Sequence, residues 1–93
     1  MGLHIHVPEG AYRPAQILKF QVHAKEPIRS LTIAFVGEPP TAVKPRRPTR
    51  HLKLKLRVPE GIHGETTGLQ AEGTTDQGTV VRAAAVVRLA HGD

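Results

Sequence analysis

The chain has 93 residues, is 39% hydrophobic, carries a net charge of +5 and contains no cysteine. That length suits one small domain and leaves no room for a second core. The missing cysteines exclude disulfides, thiolate metal sites and a thiol nucleophile. No run approaches the roughly 18 consecutive apolar residues of a membrane span. The start "MGLHIHVPEG" lacks the basic and then apolar order of an export signal, so the expectation is a chain made in the cytoplasm, extracellular only if a leader was removed.

Apolar residues recur at every second position along almost the whole chain, which predicts an all-β protein without substantial helix. In "LHIHV", Leu3, Ile5 and Val7 face inward while His4 and His6 face outward. Residues 16–24 set Leu18, Phe20, Val22 and Ala24 inward against Lys19, Gln21 and His23, and 30–36 place Leu31, Ile33 and Phe35 inward. A weakly marked strand falls within 41–44. The clearest alternation is "HLKLKLRV" at 51–58, with Leu52, Leu54, Leu56 and Val58 opposite His51, Lys53, Lys55 and Arg57. At 67–73 Leu69 and Ala71 point inward, and at 79–89 the inward set is Val81, Ala83, Ala85, Val87 and Leu89. With so few aromatic residues, Tyr12, Phe20 and Phe35, the core is aliphatic. A chain without Asn but with 8 Pro also fits a heat-stable or GC-rich source.

The tetrapeptide "VPEG" closes two of these runs, at 7–10 and 58–61. In both places Val ends the inward set, Pro cannot extend a ladder and Gly frees the turn, so the motif reads as punctuation. The succession "LKLKLRVPEGIHG", "GLQAEGTTDQG" and a long last strand resembles bacterial immunoglobulin-like domains, with Asp76, Gln77 and Gly78 in the final turn. The resemblance implies a single domain over 1–93, an antiparallel two-sheet sandwich of about seven strands with both VPEG turns at one end.

Positive charge concentrates in "KPRRPTRHLKLKLR". Pro45 and Pro48 extend its first half into a loop bearing Lys44, Arg46, Arg47 and Arg50, and Lys53, Lys55 and Arg57 continue along a strand face. The implied layout brings Lys25 and Arg29 beside the loop. This ridge is the candidate binding site, for an acidic protein surface, a polysaccharide or nucleic acid, although solvated edge strands carry Lys and Arg for other reasons. The region has no stacking aromatics, which disfavours single-stranded nucleic acid. A second candidate surface is the outward set of the last strand: Val80, Arg82, Ala84, Val86 and Arg88.

The only concentration of metal-binding residue types is His4 and His6 with His23 or His51, and nothing in the spacing makes them converge. Ser30 lacks the glycines of a nucleophile elbow, the acids are scattered over separate turns, and "GIHGETTG" has no phosphate-loop spacing. No catalytic residue, metal or cofactor is therefore expected. The resulting expectation is a non-catalytic structural or binding module. A virion accessory or decoration protein that docks on a protein partner or self-assembles comes first. A cell-surface spacer or adhesion domain and a nucleic-acid-binding module are the alternatives.

Overall fold

The alternating runs predicted at 16–24 and 30–36 are one continuous strand. In the computed structural model, which describes residues 2–90, it spans Ile17–Phe35 and is the third of seven strands. The full order is β1 (Leu3–His6), β2 (Ala11–Tyr12), β3 (Ile17–Phe35), β4 (Thr41–Val43), β5 (Thr49–Arg57), β6 (Thr66–Thr75) and β7 (Val80–Leu89), with no helix among the described residues. The N-terminal half of β3 pairs with β1 and β5, and its C-terminal half with β4 and β6. β7 then pairs with β6, and β2 with β7.

Pro27 explains why the two halves look separate in sequence. Proline has no N–H to give a ladder, and the register of β3 shifts between His23 and Ile28 on the β5 side and between Ile28 and Ser30 on the β6 side. The chain absorbs the irregularity instead of turning back. Lys25 N–H donates to the Gly2 carbonyl (2.9 Å), and the Pro27 carbonyl accepts from Asp76 N–H (2.9 Å).

The sheet differs from an all-antiparallel arrangement in a second way. Ala11 and Tyr12 of β2 run parallel to Arg88 and Leu89 of β7, so the sheet is mixed. Ala90 N–H donates to the Tyr12 carbonyl (2.8 Å) and extends that contact. A two-residue strand has no periodicity to read, and only its partner defines it.

One apolar cluster joins the two halves. Leu3, Ile5, Leu18, Phe20 and Val22 from the first meet Ile28, Leu31, Ile33, Phe35, Leu69, Ala71, Val87 and Leu89 from the second, together with the fully buried Val58 that follows β5. Apart from Ile28, these are inward positions of the alternating pattern; other inward positions, Val7, Ala24, Leu52, Leu54, Leu56, Val81, Ala83 and Ala85, pack against the cluster partly buried. Both VPEG segments leave the sheet near the start of β3, since β1 ends opposite Gln21 and β5 opposite Ile17. Their glycines, Gly10 (φ 128°) and Gly61 (φ 71°), take the left-handed conformations that such turns require.

Phe20→Ala removes a ring that is 2% exposed at the centre of this cluster. It should cost about 3–5 kcal/mol in urea unfolding. Val86→Ala, at a side chain 68% exposed, should stay within about 0.5 kcal/mol of the parent.

Candidate anion-binding face

The register of β1, β3 and β5 stacks their outward residues in rows. His4 lies opposite His23, which lies opposite His51. The next row is His6, Gln21 and Lys53, followed by Lys19 opposite Lys55 and by Ile17 opposite Arg57. No carboxylate occurs in any of these rows. The nearest acids in sequence, Glu9 and Glu26, lie outside the rows.

Directly opposed residues of an antiparallel pair hold their Cβ atoms about 4.5–5.5 Å apart, where like charges repel. Lys19 and Lys55 occupy such a pair, and Lys53 neighbours Lys55 on the same face. The lysines rim a shallow hollow of about 390 Å³, bordered also by Pro8, Phe20, Gln21 and Leu54. Cations are thus gathered here without the acid that would offset their repulsion, and an anion is what would relieve it.

Beside the hollow the imidazoles are ordered. The His23 and His51 rings stack with centroids 4.4 Å apart and planes 14° from parallel. His51 Nε2 shares a hydrogen bond with Gln21 Oε1 at 2.8 Å. Arg57 bends back to donate from a terminal guanidinium nitrogen to the Ala15 carbonyl (2.8 Å), tying the end of β5 to the turn before β3.

The structure divides the cationic run seen in the sequence. Lys53, Lys55 and Arg57 share the face just described, whereas Lys44, Arg46 and Arg47 are exposed on the connection between β4 and β5. Arg50, expected in the loop, is the second residue of β5, and its Nε donates to the Lys25 carbonyl (3.2 Å), which places the start of β5 beside the irregular stretch of β3 carrying Lys25 and Arg29. Lys19 and Gln21 join the site only in the folded sheet. Their outward phase is legible in the sequence, but their neighbours come from a strand more than thirty positions away, and only the register supplies those. The second candidate surface, Val80, Arg82, Ala84, Val86 and Arg88, lies along the outer face of β7, where these residues are exposed. Arg82 there is engaged by Glu72 at 2.8 Å, a surface pair worth at most about 1 kcal/mol.

No family model and no curated protein sequence matches the chain. Among solved structures it is similar to a superoxide reductase (neelaredoxin) from Ignicoccus hospitalis, with a TM-score of 0.67 and 14% identity over 97% of this chain and 81% of that one. Two single-residue variants of the same protein match with TM-scores of 0.67 and 0.65 at 14% and 12% identity, covering 96% of this chain and 80% and 82% of theirs.

At such identity the likeness is one of fold. It overturns the resemblance to bacterial immunoglobulin-like domains, because these structures, similar to the chain over nearly its whole length, are superoxide reductases. The roles drawn from that resemblance, virion accessory or decoration protein and cell-surface spacer or adhesion domain, fall with it, and the nucleic-acid-binding module expected from the cationic ridge at 44–57 gains no support from these neighbours. The expectation that the chain is not an enzyme is corrected as well, since its fold is one that enzymes use. The error arose because permissive turn chemistry, Val-Pro and Asp-x-Gly, serves many β folds alike.

One-electron chemistry on superoxide calls for a redox-active metal, and the donor set here does not fit one. The chain has no cysteine, and among the described residues no three of His, Cys, Asp and Glu form a group able to hold an ion. Imidazole lone pairs lie in the ring plane, so the near-parallel rings of His23 and His51 do not aim at a common point.

Lys55→Glu replaces the like-charged pair by an opposite-charged one. It should raise stability by roughly 0.2–1 kcal/mol in urea unfolding. Replacing Arg46 and Arg47 on the exposed connection by Ala should change stability by less than about 0.5 kcal/mol.

Proposed function

We propose that this domain recognises anionic ligands on the outward face of β1, β3 and β5. The observation that carries the reading is the Lys19–Lys55 cross-strand pair, with Lys53 beside it and no acid in any row of the face. Such a pair lowers stability where it stands. In this reading the cost is offset when a carboxylate or other anion lies between the ammonium groups.

The binding face is supported from behind by Leu18, Phe20 and Val22, all buried, which hold β3 rigidly to the core. We further read the β1–β3–β5 and β4–β3–β6–β7–β2 ladders as two layers closing on that core, with the cationic face on the outside of the first. Gln21 and the stacked histidines offer hydrogen-bonding groups at the margin of the cationic patch. The ridge of Lys53, Lys55 and Arg57 is the centre of the site. Lys44, Arg46, Arg47, Arg50, Lys25 and Arg29 extend the positive field at its far end. The partner that fits is an acidic protein surface, because a face without stacking aromatics offers little to unpaired bases.

Titration of ¹⁵N-labelled protein with polyglutamate is the direct test. Amide shifts should centre on Lys19, Gln21, Lys53 and Lys55 at low salt. They should shrink strongly at about 0.5 M salt, where screening acts over only a few ångströms. The double variant Lys53→Gln with Lys55→Gln should weaken binding by roughly fivefold or more while remaining folded. Shifts confined to residues 44–50, or no shifts at any salt, would defeat the reading.

A further inference from the structure

β5 is an edge strand whose second side is open. Among the described residues the ladder joins it to β3 alone. Each strand of an antiparallel pair turns half of its peptide groups toward its neighbour and the other half away, so the nine residues of β5 present a row of N–H and C=O groups toward whatever lies beside them.

The core under that edge is incompletely covered. Val22, Phe20 and Leu18 are 2%, 2% and 0% exposed, yet their ladder partners Leu52, Leu54 and Leu56 are only half-buried although they point to the same side. Beyond Leu56 the gap deepens into a hollow of about 250 Å³ lined partly by Ile33, Phe35, Pro39 and Pro59. The outward residues of the same strand, Lys53, Lys55 and Arg57, have Gln21, Lys19 and Ile17 as ladder partners, none of them an acid, and Glu38 borders the hollow beside Arg57.

We propose that β5 receives an extended segment of a partner protein by strand addition. The segment would carry acidic side chains at every second position and apolar ones between. Its backbone would satisfy the open edge, its apolar residues would cover Leu52, Leu54 and Leu56, and its acids would lie beside Lys53, Lys55 and Arg57. A second copy of this chain is a poor occupant, because pairing β5 with itself sets these cations against their own kind. The charges that blunt self-association therefore select an acidic strand. This proposal rests on the anion-binding reading and adds to it a direction, a backbone contact and a residue pattern.

The test uses a nine-residue peptide alternating Val and Glu and two N-methylated forms, one methylated on every Val amide and one on every Glu amide. Alternate amides of an extended strand point to opposite edges. One methylated form should therefore lose affinity by about tenfold or more while the other binds like the parent. Amide exchange of β5 should slow in the complex. If both methylated forms bind like the parent, strand addition is wrong and the anion-binding face stands. Polyglutamate binding without peptide binding likewise overturns strand addition and leaves the face intact. If neither polyglutamate nor any peptide binds, both readings fall. A chain that dimerises through β5 without peptide also overturns the proposal, since the edge is then already filled.

Discussion

The structure depends on one strand that changes partners along its length. β3 gives its first half to β1 and β5 and its second to β4 and β6. The junction is possible because Pro27 sits where the register already shifts and no ladder N–H is demanded. With few aromatics the core is largely aliphatic, and it forms only because a continuous backbone brings Phe20 and Val22 to the same cluster as Ile33 and Phe35.

The same pairing builds the cationic face. Lys19 and Lys55 lie more than thirty positions apart in the chain, and the conflict between them exists only once β3 and β5 are in register. Unfavourable pairs of this sort persist where function or specificity compensates them. The fold neighbours show that this strand arrangement also supports redox enzymes. The histidines here stack across strands and do not converge, and at 14% identity the likeness is one of framework, which widely used folds share across unrelated functions.

Binding face and open edge meet on β5. Its inward leucines are left half-covered, and its outward cations have no acid as a ladder partner. An isolated edge with that alternation would invite aggregation, and the lysines work against it by repelling a second copy. The strand is thus guarded against its own kind and receptive to an acidic one.

Alternation alone determined much: the all-β class, most strand limits and the inward residues, because a side-chain period of two is a local property and burial follows it. The turn roles of both VPEG segments and of Gly78 (φ 86°) were likewise legible, since proline and glycine act through their own backbones. Sequence pattern failed where the answer lay in a distant partner. The runs at 16–24 and 30–36 read as two strands and are one with an irregularity around Pro27, and β2 is defined only by its parallel contact with β7. The turn motifs suggested the wrong family because they report how a chain reverses, not which strands then pair. Of the site, the outward phase of Lys53 and Lys55 was visible. The opposition of Lys55 to Lys19, the row of His4, His23 and His51, and the unpaired edge of β5 were decided by register, which joins residues far apart in sequence and exists only in the folded sheet.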